Sequence, residues 1–103
     1  MLELRNVPTL FEFQKYVAEL EIERGFSDQS TIEKCLLLGE EVGELFKAVR
    51  TSAGLKVDVP GGEIAMELAD ILIYVCAIAN RCDVDLEASF RAKEEINKTR
   101  TWS

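Results

Sequence analysis

The stretch EIAMELADILIYVCAIAN, residues 63–80, is apolar on almost every side when it is drawn as a helix. At about 100° per residue, long or branched apolar side chains cover most directions of the wheel. These side chains are Ile64, Leu68, Ile71, Leu72, Ile73, Val75 and Ile78. Such a helix is typical of a protein interior, so the segment predicts a buried central helix. Glu67 and Asp70 interrupt the pattern, and their spacing places both carboxylates on one face of that helix.

Two further helices are predicted before this segment. Residues 9–12, TLFE, form a capping box, after which apolar residues recur at helical spacing until Gly25. Residues 30–33, STIE, form a second capping box, which opens a helix expected to reach about Arg50. Because glycine and proline are frequent in residues 51–62, we expect a loop there.

The rest of the chain completes an all-α plan. Asp85 is suited to cap a last helix that reaches about Lys98, and we find no segment that is typical of a strand. Short connections favour antiparallel neighbours. The sequence therefore predicts an all-α, four-helix bundle-like fold, with residues 1–103 forming a single domain.

The composition excludes several classes of function. The formal net charge is −7, and no cluster of basic residues suggests a surface for a nucleic-acid polymer. The longest apolar run, residues 71–79, is too short to span a bilayer, and the N-terminal residues do not resemble a signal peptide. The three cysteines lack the CxxC spacing of zinc sites. We therefore expect a cytoplasmic protein with no membrane and no nucleic-acid partner.

A second group of carboxylates lies in the stretch GEEVGEL, residues 39–45. On the helical wheel, Glu41 falls inside the apolar arc, Glu44 lies at its edge, and Glu40 points toward solvent. Antiparallel packing of the two helices would bring the pair Glu41 and Glu44 close to Glu67 and Asp70.

Clustered carboxylates need positive charge, because like charges in a poorly solvated site raise one another's pKa values and destabilise the fold. An all-oxygen donor set suits Mg²⁺, with Mn²⁺ as a possible substitute. The chain contains no histidine, which argues against zinc and against a histidine-supported di-iron oxidase. In the alternative interpretation, the acids form a solvated or salt-bridged face of a non-enzymatic helical dimerisation or interaction module.

These motifs resemble a known family. The order EExxE then ExxD, read here as EEVGE at 40–44 and ELAD at 67–70, is similar to that of MazG-like nucleotide pyrophosphohydrolases. The resemblance to this all-α NTP pyrophosphatase superfamily continues through DVDLEASF and KEEINKTR and covers residues 25–100. It implies a four-helix fold completed as a homodimer or homotetramer. It also implies Mg²⁺-dependent hydrolysis of nucleoside triphosphates to monophosphates and pyrophosphate.

The resemblance also implies roles for individual residues. The residues that match the family's metal ligands are Glu41, Glu44, Glu67 and Asp70. Glu40 and Glu41 are the catalytic candidates, with Glu40 as a water-orienting base or a group behind the metal ligands. The expected physiological role is the removal of non-standard or surplus deoxynucleotides, such as dCTP analogues.

Substrate contacts are predicted at residues other than these acids. Lys93, Asn97 and Arg100 are expected to hold phosphate oxygens, although the helix dipole alone would favour a cation at Arg100. Phe26 and Tyr74 are expected to bind the base. Phe26 is equally suited to a hydrophobic staple, and Tyr74 to a place in the core.

Overall fold

A computed structural model describes residues 2–101, and the described chain folds into four α-helices with no strand. They are α1 (Leu10–Glu23), α2 (Thr31–Ser52), α3 (Ile64–Arg81) and α4 (Leu86–Lys98). The all-α fold expected from the sequence is confirmed, and the helix ends lie within about two residues of the expected positions.

Local hydrogen bonds explain why the helices begin where the sequence predicts. The backbone N–H of Glu12 donates to Thr9 Oγ1 at 3.1 Å, and the Glu12 carboxylate accepts from the Thr9 backbone N–H at 3.0 Å. Ser30 and Glu33 form the same reciprocal pair before α2. Each box satisfies backbone donors that a helix start otherwise leaves unpaired.

The helices pack around α3. Lys34, near the start of α2, lies against Tyr74 in the second half of α3, so α2 and α3 run antiparallel. The buried Gln14 side chain of α1 donates to Asn80 Oδ1 of α3 at 3.2 Å. Gln14 Oε1 also accepts from the backbone N–H of Leu86, at the start of α4, at 2.9 Å. Through these contacts α1 connects the C-terminal half of α3 with α4.

The single chain leaves much of its apolar surface uncovered. Its radius of gyration is 16.1 Å, whereas a compact domain of this length has about 13 Å. Along α3, Leu68 is 51% exposed and Leu72 is 37% exposed. The expectation that α3 is buried on all sides is therefore wrong for the single chain, because α1 and α2 cover only part of its circumference. None of the described helices combines the length and the hydropathy needed to cross a membrane.

The loop between α2 and α3 returns closely over the end of α2. The Gly61 N–H donates to Thr51 Oγ1 at 3.0 Å, and a Cβ built on Gly61 would lie 2.6 Å from the backbone nitrogen of Ala48. A Cβ on the neighbouring Gly62 would instead meet only the end of the Glu67 side chain, at 2.9 Å. A methyl group at Gly61 would therefore press on helix backbone, whereas one at Gly62 would press only on a flexible side chain.

We expect Gly61→Ala to lower the free energy of unfolding by about 1 to 3 kcal/mol, because the methyl group would press on backbone that cannot move aside. Gly62→Ala is the matched control and should cost much less, because a flexible carboxylate can rotate away. Thermal unfolding in metal-free buffer measures both. Equal losses of stability in the two variants would contradict the close approach at Gly61.

Candidate functional site

Three carboxylates from α2 and α3 meet at one point. Glu41, Glu67 and Asp70 each place an oxygen within 4.8 Å of the oxygens of the other two. Glu41 and Glu67 are half-buried and Asp70 is exposed. We call these three residues the acid cluster. The antiparallel pairing of α2 and α3 thus brings three of the four predicted metal ligands together.

The remaining predicted acids lie beside the cluster rather than in it. Glu44 is exposed and outside the group, although its charge still acts on Glu41. Glu40 is also exposed, as the helical wheel indicated. Burial raises the pKa of Glu41, and the neighbouring charges of Asp70 and Glu67 raise it further. The cluster therefore holds more negative charge than the protein itself compensates.

The donor set of the acid cluster fits a hard divalent cation. Carboxylate oxygens are the ligands that Mg²⁺ and Mn²⁺ favour, and a cation would relieve the repulsion among the three acids. Glu41, Glu67 and Asp70 are the residues that would hold it, and Glu44 lies outside this group. A cation held there would be able to assist a reaction on an anionic substrate.

A pocket of about 170 Å³ adjoins the acid cluster, and Asp70 belongs to both. Phe26, from the segment between α1 and α2, and Tyr74 of α3 line this pocket together. We call it the aromatic pocket. The two residues predicted from the sequence to bind a base therefore lie in one cavity, next to the acids. A larger groove, of about 470 Å³ between α1 and α4, contains no member of the acid cluster.

An ion cluster that the sequence did not reveal forms one side of the aromatic pocket. Glu21 of α1 is only 5% exposed, and its two carboxylate oxygens accept hydrogen bonds from Nη1 and Nη2 of Arg81, at 2.7 and 2.8 Å. Lys34 Nζ lies 3.1 Å from Glu21 Oε2. Burial alone would raise the pKa of Glu21, but the hydrogen bonds from Arg81 and Lys34 outweigh it and lower the pKa. The carboxylate is therefore stabilised in its ionised form.

Arg81 also holds the segment that carries Phe26. Its Nε donates to the Gln29 carbonyl at 2.8 Å, and Nη2 donates to the Phe26 carbonyl at 3.0 Å. One guanidinium thus fixes Glu21 and the outer wall of the aromatic pocket. The sequence did show that Lys34 precedes Glu41 by seven residues and therefore shares its helix face, but this spacing does not reveal its partners Glu21 and Arg81.

The predicted phosphate-binding residues lie elsewhere in the single chain. Lys93 and Arg100 are exposed and Asn97 is half-buried. None of the three lines the aromatic pocket or belongs to the acid cluster. The reason is that α4, which carries Lys93 and Asn97, packs against α1. Their assignment to substrate phosphates stays a prediction.

Comparison with known proteins identifies relatives. Residues 27–101 match the model of the MazG nucleotide pyrophosphohydrolase domain. A cyanophage S-2L MazG-like pyrophosphohydrolase, solved with dGDP and three catalytic Mn²⁺ ions per active site, superimposes with a TM-score of 0.73 at 27% identity. That alignment covers 96% of this chain and 87% of the phage chain. The iMazG protein of Vibrio DAT 722 superimposes with a TM-score of 0.64 at 34% identity, covering 88% of this chain and 99% of the other.

Curated relatives come from mammals. The chain is 35% identical over 100 residues to dCTP pyrophosphatase 1 of Mus musculus and 33% identical to that of Homo sapiens. Each alignment covers 90% of this chain. The chain spans 59% of the length of these relatives.

We expect Glu21→Gln to lower the free energy of unfolding near neutral pH by about 3 kcal/mol, because the substitution leaves Arg81 and Lys34 without their buried counter-charge. The folded-state pKa of Glu21 is depressed, so its stabilisation is present above the ordinary value of 4.5 and is lost as the pH falls through the folded value. The difference between native protein and variant should therefore narrow on acidification. Denaturant unfolding at several pH values measures it, and a difference that stays constant down to strongly acidic pH would contradict this role.

Proposed function

The chain belongs to the MazG nucleotide pyrophosphohydrolase family, and we propose that it hydrolyses a nucleoside triphosphate to a nucleoside monophosphate and pyrophosphate. The observation that carries this proposal is the sharing of Asp70 between the acid cluster and the aromatic pocket. A nucleotide has two parts that match these two features. Its aromatic base suits the aromatic pocket, and its polyphosphate, which is usually complexed with a divalent cation, suits the acid cluster. The similarity to dCTP pyrophosphatases supports a deoxynucleotide as substrate.

We propose Mg²⁺ as the physiological cation and Mn²⁺ as its substitute. When bound, such a cation neutralises charge on the phosphates and activates water for attack. The chain's part is to hold the cation through Glu41, Glu67 and Asp70, whose oxygens lie close together. The resemblance of the EEVGE motif to the family supports Glu44 as a fourth ligand. The Mn²⁺ ions of the phage relative support the use of a divalent metal.

Other residues of this chain have proposed roles around that centre. Glu40, exposed on α2 next to Glu41, is proposed to orient the attacking water as a base or to act from behind the metal ligands. Phe26 and Tyr74 are proposed to flank the base. The proposed phosphate contacts are Lys93, Asn97 and Arg100.

We propose that residues 1–103 act as one MazG-like domain that removes surplus or non-standard deoxynucleotides, such as dCTP analogues, in the cytoplasm. The resemblance to dCTP pyrophosphatases supports this role. The alternative is a non-enzymatic helical interaction module, for which the exposed apolar side chains of α3 would be the relevant surface. A response to divalent metal distinguishes the two, because only the enzyme requires the acid cluster to bind a cation.

We further propose that the chain acts as a homodimer or a dimer of dimers. Apolar side chains of three helices support this, since Phe46 of α2, Leu68 of α3 and Phe90 of α4 are each more than half exposed. Mass measurement by light scattering at micromolar concentration should give two or four times the chain mass of 11.6 kDa. A monomeric mass over the whole concentration range would contradict it.

The activity itself is tested with Glu41→Gln. We expect the native protein to gain thermal stability from Mg²⁺ or Mn²⁺ and to release pyrophosphate from nucleoside triphosphates only with metal present. Glu41→Gln should lose at least about tenfold in Mn²⁺ affinity, together with turnover. In metal-free buffer it should be at least as stable as the native protein, because the raised pKa of Glu41 shows that its charge is disfavoured there.

Glu19→Gln is the matched control, since Glu19 is an exposed carboxylate of α1 outside the acid cluster. It should retain both metal binding and turnover. A folded Glu41→Gln protein that hydrolyses nucleotides at the native rate would contradict the proposed site. A native protein whose melting temperature does not respond to either metal would favour the interaction module.

A further inference from the structure

We propose that Lys34 determines base specificity by donating a hydrogen bond from its ammonium group to a ring carbonyl of the base. The inference rests on the proposed function, because it places the base of the nucleotide in the aromatic pocket. It goes further in naming the residue that distinguishes one base from another. Cytosine, uracil, thymine and guanine carry a ring carbonyl, whereas adenine carries none.

Lys34 is buried, although lysine side chains in proteins are normally exposed. Its side chain is only 6% exposed, and it lines the aromatic pocket together with Phe26 and Tyr74. The ammonium nitrogen lies 5.1 Å from the centroid of the Phe26 ring and 5.3 Å from that of Tyr74. The charge therefore lies where a base bound between the two rings would meet it.

The ammonium group has donor capacity to spare. It carries three N–H bonds, and within residues 2–101 Glu21 is its ion-pair partner, at 3.1 Å. The faces of Phe26 and Tyr74 are its other described neighbours. An aromatic face attracts a cation but is a poorer hydrogen-bond acceptor than a carbonyl oxygen. A base carbonyl would thus supply an acceptor that the pocket walls lack.

Glu21 and Arg81 are less suited to hydrogen-bond the base, because they are already engaged with other groups. Both oxygens of Glu21 already accept from Arg81, and one of them also pairs with Lys34. Arg81 donates to Glu21 and to the carbonyls of Phe26, Gln29 and Ala77. One carboxylate faces two cations, so this group of three carries a net charge of +1. The uncommitted donor capacity lies on Lys34, and the excess positive charge favours an acceptor on the ligand.

The position of Asp70 orients the ligand. Because Asp70 lines the aromatic pocket and also belongs to the acid cluster, a nucleotide with its phosphates at the acids reaches the pocket with its base. A site that hydrogen-bonds a substrate group discriminates strongly against an analogue that lacks it, since the protein donor is then left unpaired. Adenine offers only ring nitrogens as acceptors, so Lys34 favours a base that carries a carbonyl over adenine.

The test measures binding rather than turnover. Calorimetry with Mn²⁺ gives the affinities of dCDP and dADP for the native protein, Lys34→Met, Lys34→Arg and a control, Lys15→Met. We expect the native protein to prefer dCDP. Lys34→Met should lose about 10- to 100-fold in affinity for dCDP, the usual worth of a hydrogen bond to a charged group. Its affinity for dADP should change by less than about twofold.

Two further variants control for charge and folding. Lys34→Arg keeps a cationic donor and should retain most of the preference for dCDP. Lys15 is an exposed lysine of α1 that does not line the aromatic pocket, so Lys15→Met should bind both nucleotides as the native protein does. Lys34→Met is expected to fold, because Arg81 still pairs with both oxygens of Glu21. If its melting temperature shows otherwise, Lys34→Gln replaces it; its neutral amide is a weaker donor than the ammonium group, so it should lose part of the preference for dCDP.

Several results would overturn the inference. Equal losses for dCDP and dADP would show that Lys34 acts only by attracting phosphate, and unchanged affinities would show that it does not contact the base. A native protein that binds neither nucleotide would overturn it as well. Pyrophosphate release from dCTP is measured separately. Selective binding without turnover would overturn the proposed function alone, whereas turnover without selective binding would overturn only the role of Lys34.

Discussion

The buried ion cluster of Glu21, Lys34 and Arg81 joins three helices at one point, with one residue from each of α1, α2 and α3. Removing three charges from water is costly. Here the cost is offset because the guanidinium fork matches the carboxylate and donates to three backbone carbonyls as well. The cluster thus ties α1 to the antiparallel pair of α2 and α3, whose packing brings Glu41 and Glu67 together.

The helices were predictable because their signals are local. The capping boxes at Thr9 and Ser30 act within four residues, and the apolar periodicity of each helix acts within two turns. Burial of α3 was not predictable in this way. A helical wheel shows which directions are apolar, but the number of neighbours that cover them is set by the assembly, and α1 and α2 cover only part of α3.

The residues of the site also fall into those that local sequence patterns predict and those that only the packing of the helices brings together. Glu41, Glu67 and Asp70 were found because each lies at an apolar or shared face of its own helix, and antiparallel packing brings such faces together. Glu44, at the edge of its arc, lies just outside the group. The partnership of Lys34 with Glu21 and Arg81 was missed because it joins side chains from three helices, and no local spacing records which distant charges will meet.

The concentration of functions on α3 constrains how this protein can change. One helix carries Glu67 and Asp70 of the proposed cation site, Tyr74 of the proposed base pocket and Arg81 of the ion cluster. Because all these groups lie on one helix, even a small rotation of α3 would move them together. If α3 has both proposed roles, a mutation that repacks it would alter metal affinity and base preference together. Substitutions at Phe26, which lies outside the helices, would alter the proposed base pocket without a substitution in α3.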